Sequence, residues 1–315
     1  MIRILNEAPK ARPKHALFCR VRNEMYFMPH FLPHYRALGI EHFYFVDDRS
    51  EDGTREYLLD QPDCTVIEMG YRLSEVVSED TRGKDVVARE VPEQVIGPGW
   101  ILSVDADEFL VLPEEYSTIG DLTSDLEARG EISCIAAMVD FYPQSFAHRF
   151  VDRDLDPFKA FPFFDTGPYF IWNPGETVPF LLFAGVRHRI NEWMVERDRG
   201  KVWQVYRPTI LQKVPLIKWG NGMVPTMSGH VPSAPPYTGT QVVLAHFKFY
   251  PDLDLKIAEG IESNFYQGHS YYYRLLRHYI PVFENRRLVC LVSRRYRDRS
   301  DLTRSHLLFA NGRPF

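Results

Sequence analysis

This 315-residue sequence has few cysteines and no long apolar run, and each shortage excludes a class of protein. Its four cysteines, Cys19, Cys64, Cys134 and Cys290, are widely spaced without a CxxC pair. Buried thiols in a reducing compartment are therefore expected rather than disulfides or zinc ligands. No stretch approaches the roughly 18 apolar residues of a membrane span, and the first residues lack the apolar core of a signal peptide. We expect a soluble cytoplasmic protein, with at most peripheral association with the inner face of the membrane.

The sequence also lacks an excess of basic charge and a glycine-rich phosphate loop. A formal net charge of -5 and a pI near 6.1 argue against general electrostatic attachment to nucleic acid or to an anionic membrane, while local basic patches stay compatible with both values. Residues 19–24, after the first predicted strand, read CRVRNE without glycine. This disfavours a nucleotidyltransferase, which usually carries a glycine-rich loop at that point.

What the sequence does contain is an alternation of strand and helix patterns, in a chain that is 45% hydrophobic and 25% charged and long enough for a sizeable core. Apolar strand patterns alternate with helical patterns whose lengths suit crossover connections. The predicted strands cover residues 16–21, 42–46, 64–68, 101–106 and 132–139, and the predicted helices cover 24–38, 54–59, 84–96 and 119–129. This order predicts an α/β fold with a mostly parallel, Rossmann-like central sheet flanked by helices.

The second half of the chain is less regular. Proline and glycine are frequent between residues 141 and 240, and the predicted strands there are short. Loop-rich regions of this kind often shape acceptor pockets. A helical pattern returns over residues 253–279, and the stretch after Arg294 is polar and expected to be weakly ordered.

Three carboxylates stand at the end of the apolar strand 101–106. They are Asp105, Asp107 and Glu108, in the sequence DADE. Clustered acids beside an apolar strand repel one another and lose hydration, so they stay ionised mainly when a cation neutralises them. Oxygen ligands of this kind suit Mg²⁺ or Mn²⁺, which keep positions for water and substrate phosphates. The alternative is that these aspartates only form local hydrogen bonds in a turn.

Several motifs carry a resemblance to a known family. These are residues 22–24 (RNE), 46–54 (VDDRSEDGT), 104–110 (VDADEFL), 185–187 (GVR), 213–215 (KVP) and 244–249 (LAHFKF). Together they resemble the glycosyltransferase family 2-like bacterial proteins, which have the GT-A fold, and more particularly a subgroup related to the family 92 type. The resemblance spans about residues 14 to 280, and the order and spacing of the motifs are more specific than any one of them.

The resemblance implies a site that binds a nucleotide sugar. The residues that it assigns to donor binding are Arg22, Glu24, Asp47, Asp48, Asp105 and Lys248. Family 2 proteins more often have DDGS where this chain has DDRS, so Arg49 is a departure at the nucleotide contact. From the residues alone, Asp48, Ser50 and Asp52 also fit as caps of the helix that begins near Thr54.

The resemblance also implies a metal centre of Asp105, Asp107 and His246 holding Mn²⁺ or Mg²⁺. A single histidine in an apolar strand is otherwise more often a hydrogen-bonded core residue. Lys248 lies on the same strand face as His246 and is placed to neutralise a departing diphosphate, although a solvated surface lysine fits the pattern equally well.

A carboxylate that takes the acceptor proton is expected in the second half of the chain if the reaction inverts the anomeric centre. Asp140 and Asp165 are the first candidates, with Glu176 and His230 as further ones. Arg187 and His188 are placed to contact acceptor or diphosphate, or to form a charged hairpin face. Arg82 and Lys84 precede the acidic strand and fit a phosphate contact or a solvated basic loop.

These expectations combine into one function. Residues 1–250 would form a GT-A glycosyltransferase domain, with a nucleotide-sugar-binding half (14–112), an acceptor half (113–250) and a helical C-terminal extension (251–315). The enzyme would transfer a sugar from a UDP- or GDP-sugar to a glycan or lipid-linked acceptor, in bacterial surface polysaccharide or lipopolysaccharide assembly, without nucleic acid. The alternatives are a catalytically inactive GT-A carbohydrate-binding or scaffold protein and a nucleotidyltransferase.

Overall fold

The computed structural model describes most of the chain in ten segments. They are residues 2–78, 81–167, 170–172, 181–183, 185–198, 211–220, 225–226, 231–232, 239–263 and 267–310. The strands are β1 (Ile2–Ile4), β2 (His15–Val21), β3 (His42–Asp47), β4 (Cys64–Met69), β5 (Val76–Ser78), β6 (Thr81–Arg82), β7 (Gly99–Ser103), β8 (Glu108–Val111), β9 (Ser133–Asp140), β10 (Phe163–Asp165), β11 (Phe170–Trp172), β12 (Leu181–Phe183), β13 (Gln212–Trp219), β14 (Pro225–Thr226), β15 (Val231–Pro232), β16 (Gln241–His246) and β17 (Ser293–Arg295).

Helices connect and cover these strands. They are α1 (Met28–Ala37), α2 (Thr54–Leu59), α3 (Gly83–Val91), α4 (Ile119–Ala128), α5 (Pro157–Ala160), α6 (Val186–Arg197), α7 (Leu253–Glu262), α8 (Gln267–Phe283) and α9 (Arg299–Arg304). A π-helical turn, Pro92–Ile96, extends α3, so the helical pattern predicted over 84–96 is confirmed. Among the described residues, no helix is long and apolar enough to cross a bilayer.

One sheet organises the described chain. Its strand order is β1-β4-β3-β2-β7-β13-β9-β16-β8. The pairs β4–β3, β3–β2, β2–β7 and β9–β16 are parallel, whereas β1, β13 and β8 pair antiparallel with their neighbours. Six of these strands therefore point the same way, which confirms the predicted α/β class with a mostly parallel sheet.

Both faces of the sheet are buried. In β2, Leu17 and Cys19 pack into one apolar cluster with α1 and α4, while Ala16 and Phe18 pack into another with α3. Burial on both sides explains why β2 and β3 are nearly continuous apolar runs rather than alternating ones. A third cluster joins α6, α7 and α8.

Three sequence expectations are wrong. The strands between residues 141 and 240 are not all short, because β13 has eight residues and lies within the main sheet. The stretch after Arg294 is not weakly ordered as far as residue 310, because α9 lies there and Leu302, Leu307 and Leu308 are fully buried in the main core. The buried state expected for the thiols holds for three of the free cysteines but not for Cys290, which is exposed in the loop after α8.

Candidate functional site

A cavity of about 230 Å³ opens at the carboxyl ends of the strands that point the same way. Open α/β sheets place their ligands at this edge, because the loops after parallel strands converge there. The described lining consists of Arg20, Val21, Arg22, Glu24, Asp48, Leu73, Ser74, Lys84, Asp105, Ala106, Asp107, His246, Lys248, Lys256, Glu259, Gly260 and Ser263. Acidic and basic side chains are about equally numerous in it, so the cavity offers partners both for hydrogen-bond donors and for negatively charged groups.

A buried lysine forms ion pairs with the acidic turn after β7. Lys213 of β13 lies 2.8 Å from Asp105 Oδ2 and also donates to Glu108 Oε1. The backbone N–H of Asp105 donates to Glu108 Oε2 at 3.0 Å, which closes the turn. Burial disfavours the charge on Asp105, but Lys213 and Arg20 outweigh burial and hold its pKa well below the usual range. For Glu108, burial prevails and its pKa is raised.

Asp107 faces a chain of ionic contacts that runs behind the cavity. His246 Nε2 lies 3.4 Å from Asp107 Oδ2, and His246 Nδ1 lies 2.6 Å from Asp140 Oδ1. Asp140 Oδ2 in turn accepts from Arg187 Nε at 2.8 Å. Lys248 Nζ lies 3.5 Å from the Asp107 carboxylate. Burial opposes charge on both side chains, yet Lys248 and His246 lower the pKa of Asp107, while Asp107 and Asp140 raise that of His246.

This contact chain fixes the side of the imidazole that meets the cavity. With Nδ1 donating to the Asp140 carboxylate, Nε2 of the neutral ring directs a lone pair at Asp107. Such an arrangement requires either a proton on Nε2 or a cation between the two groups. A carboxylate that orients a histidine through its second nitrogen is the usual support of a metal-ligating histidine.

Asp107 and His246 therefore fit a divalent cation, whose remaining coordination positions would be left to water and substrate oxygens. Asp105 is drawn instead to Lys213 and Arg20, the latter at 3.2 Å. No group of three or more His, Cys, Asp or Glu side chains placed to hold a metal occurs in the described part of the chain. The predicted set of Asp105, Asp107 and His246 thus stays a prediction, for which the structure offers two converging side chains.

The end of β3 supplies the other wall of the cavity. Asp48 Oδ1 accepts from the backbone N–H of Leu73 at 3.2 Å, and Oδ2 lies 3.8 Å from Arg22. The preceding residue, Asp47, points to the opposite side, where its carboxylate accepts from Arg55 Nε at 2.6 Å and is fully buried. Asp47 is absent from the described lining, whereas Asp48 belongs to it.

Helix α7 closes the cavity from the C-terminal part of the chain. Lys256 donates to the Glu24 carboxylate and to Arg22 O, and Asn23 Nδ2 donates to Glu259. Glu24 is 8% exposed, and burial raises its pKa to about 7 even though Lys256 acts in the opposite direction.

The raised pKa of Glu24 predicts a pH-dependent contribution to stability. A free glutamate titrates near 4.5, so between about pH 4.5 and pH 7 the folded state holds this proton more tightly than the unfolded chain. This contribution to the free energy of unfolding, about 3 kcal/mol, is fully present below pH 4.5 and is lost as pH rises through 7. Urea unfolding at pH 5 and pH 8 measures this loss. The free energy of unfolding should fall less between these two pH values in Glu24→Gln than in the wild type. The exposed Glu262→Gln should match the wild type, and equal pH slopes in Glu24→Gln and wild type would contradict the assignment.

Other sequence candidates lie elsewhere. Asp165 is buried and contacts Tyr142, Arg189 and Ser293 rather than the cavity.

Asp52 accepts from Thr54 N at 3.0 Å, so the capping alternative describes Asp52 better than Asp48. A catalytic role for Asp140 or Asp165 stays a prediction.

Of the five remaining candidates, three lie in the described part of the chain and two lie outside it. Lys84 lines the cavity in the first turn of α3, and Arg82 directly precedes that helix. His188, in the first turn of α6, lies 3.3 Å from Glu192 of the same helix. Glu176 and His230 fall outside the described residues.

Sequence reasoning missed Arg20, Lys213, Lys256 and Glu259. A lysine within an otherwise apolar strand pattern, as at Lys213, is a signal that could have been used, because a buried lysine needs carboxylate partners. Lys256 and Glu259 lie past residue 250, and nothing in the local pattern of α7 connects them with the end of β2.

Comparisons with known proteins leave the family open. No family model matches the chain, and no curated protein matches it. Among solved structures, residues 1–349 of S. aureus TarS are 13% identical, with 87% of this chain and 73% of that chain covered and a TM-score of 0.36. In a longer TarS structure, this chain spans only 23% of the length.

Two further solved structures have similarly low identity and TM-score. The mannosyltransferase PcManGT from Pyrobaculum calidifontis, in complex with GDP-Man and Mn²⁺, is 17% identical over 42% of this chain and 36% of that chain, with a TM-score of 0.27. A UDP-glucose pyrophosphorylase complexed with UDP-glucose is 12% identical over 55% and 67%, with a TM-score of 0.26. All these TM-scores are below 0.5, so the similarities establish neither a family nor an activity.

Proposed function

We propose that this protein is a glycosyltransferase that uses a divalent cation to transfer a sugar from a UDP- or GDP-sugar to an acceptor hydroxyl. The observation that carries the proposal is the meeting of Asp107 and His246, oriented by Asp140, in a cavity at the carboxyl edge of the sheet. The sequence resemblance adds the expected acceptor, a glycan or lipid-linked molecule of bacterial surface polysaccharide or lipopolysaccharide assembly.

Cationic side chains of the cavity would bind the diphosphate. Arg20, Lys84, Lys248 and Lys256 all belong to the lining, and they enter from β2, α3, the segment after β16 and α7. Positive groups that are fixed before the reaction stabilise negative charge as it develops on a leaving nucleoside diphosphate. A bound cation between Asp107 and His246 would supply further stabilisation of that charge.

Asp48 and Asp140 would have different tasks. Asp48, beside Arg22 and the backbone of Leu73, is the carboxylate placed to accept hydrogen bonds from a nucleobase edge. Asp140 is buried against His246 and Arg187 and is absent from the described lining, so we assign it the orientation of the imidazole.

Calorimetric titration with a panel of UDP, GDP and their sugars tests this function, with Mn²⁺ present and then removed by a chelator. We expect one nucleotide family to bind, and the chelator to weaken that binding strongly. Failure of the whole panel with folded, Mn²⁺-supplemented protein would contradict the proposal, and binding insensitive to the chelator would contradict its metal requirement.

The reaction products separate the alternatives. Incubation with the donor and acceptor should release nucleoside diphosphate. A nucleotidyltransferase would instead release diphosphate from a nucleoside triphosphate and a sugar phosphate, and an inactive module would bind carbohydrate without any turnover.

A further inference from the structure

The C-terminal part of the chain is basic although the whole chain is acidic. Residues 271–304 contain nine arginines against three acidic residues, a formal net charge of +6 in a chain whose total is -5. Such an asymmetry is an electrostatic feature of one part of the chain rather than of the whole molecule.

Part of the exposed positive charge lies on residues 284–295, which comprise the connection after α8 and strand β17 and which we call the basic loop. Two arginine pairs, Arg286-Arg287 and Arg294-Arg295, are exposed near its two ends. Between them stands Leu291, whose relative exposure of 105% makes it the most exposed of the large apolar residues in the described chain. Arg286 and Arg295 lie over the rings of Trp193 and Phe163.

The basic loop is fixed to the body of the protein. Leu288 is fully buried, its N–H donates to Gln144 O at 2.8 Å, and its carbonyl accepts from Arg189 Nη2 at 2.7 Å. The loop therefore presents its arginines and Leu291 from a defined position.

That position is on the edge of the sheet where the cavity opens. The basic loop runs beside residues 142–147, with Ala147 N donating to Glu284 O at 2.9 Å. These residues directly follow β9, whose last residue, Asp140, contacts His246. Cavity and basic loop are thus joined through the carboxyl end of one strand.

We propose that the basic loop docks the protein on an anionic lipid bilayer, with the arginines at the headgroups and Leu291 in the interface. Each arginine near a negatively charged bilayer surface contributes attraction, whereas the acidic remainder of the chain opposes general adsorption. A fully exposed leucine between cationic pairs favours a bilayer over a soluble polyanion, because only the bilayer offers an apolar region for the side chain. The surface would bring the cavity toward an acceptor held in the membrane.

Vesicle flotation tests the proposal with phosphatidylglycerol-containing and phosphatidylcholine-only vesicles. Arg287 and Arg294 are exposed, and among the described residues neither side chain has a hydrogen bond or ion pair, so the double variant Arg287→Gln/Arg294→Gln should fold normally. It should lose about 30-fold in affinity for the anionic vesicles, corresponding to about 5-fold per arginine. The matched control, Arg3→Gln/Arg89→Gln, changes the net charge equally at exposed sites outside the basic loop and should keep near wild-type affinity.

Leu291→Ser should weaken the binding that persists at high salt, since that fraction depends on apolar insertion. Equal vesicle binding by wild type and the basic-loop variant would overturn the proposal. The proposal would also be overturned if the wild-type protein failed to bind anionic vesicles, or if it bound an acidic polysaccharide but no vesicles. Nucleotide binding in solution is measured separately and should be unchanged in these variants, so failure of membrane docking is distinguishable from failure of the proposed function.

Discussion

Asp107→Asn should abolish cation-dependent nucleotide binding while the protein stays folded. The carboxylate lies 3.4 Å from His246 Nε2, and its side chain is 16% exposed at the cavity. An amide supplies one neutral oxygen in place of a charged carboxylate, so we expect a loss of about 100-fold or more in Mn²⁺ affinity, beyond the range for residues that only support a ligand. Paramagnetic resonance titration of Mn²⁺ and calorimetry of the nucleotide measure the two affinities separately.

A graded pair of variants makes this test specific. Asp140→Asn keeps the shape of the carboxylate that orients His246, and it should weaken Mn²⁺ binding by about 10–100-fold. Asp60→Asn, at an exposed position at the end of α2, should have no effect. Unchanged Mn²⁺ and nucleotide affinities in a folded Asp107→Asn protein would rule out the metal centre.

Lys213→Met should destabilise the fold by about 3–5 kcal/mol. Lys213 is 6% exposed and forms ion pairs with both Asp105 and Glu108, and Glu108 is itself 1% exposed. Removing the ammonium group leaves Glu108 buried without its cation, and a buried charge that has lost its partner costs far more than a surface pair contributes. Chemical denaturation of the variant against the wild type measures the loss in the free energy of unfolding.

Two further variants separate the lost pair from lost packing. Lys218→Met changes the same residue type on the same strand, where the lysine pairs with the partly exposed Glu127, and it should cost less than about 1 kcal/mol. The double variant Lys213→Met/Glu108→Gln should regain part of the lost stability, because it also removes the isolated charge. Equal stabilities for Lys213→Met and Lys218→Met would show that the buried pairs contribute little.

Strands and the acidic turn could be predicted from the sequence because their signals are local. A strand buried on both faces must be a run of apolar residues, as in β2 and β3, and this run is visible without knowledge of the partners. The acids after β7 and the histidine ending β16 fall at strand ends, and parallel strands bring such ends to one edge. The meeting of Asp107 with His246 follows from that rule.

The sequence pattern could not show which of two neighbouring acids faces the cavity, or which partners a strand-end acid contacts. Asp47 and Asp48 are adjacent acids at one strand end, and the alternation of side chains along an extended backbone sends them to different partners, Arg55 and the cavity. Likewise, Asp140 ends its strand as predicted, yet its contacts with His246 and Arg187 give it an orienting position behind the cavity.

The sequence by itself thus determined the α/β class, the strands that carry the site and the acids and histidine at their ends. Only the tertiary structure decided which cations meet those acids, because Lys213 and Lys256 come from strands and helices more than 100 residues away along the chain. It also placed α7 across the cavity and the basic loop beside β9. The physical reason is that apolar periodicity is set by each segment's own burial, whereas ion pairs depend on which segments the packed core brings together.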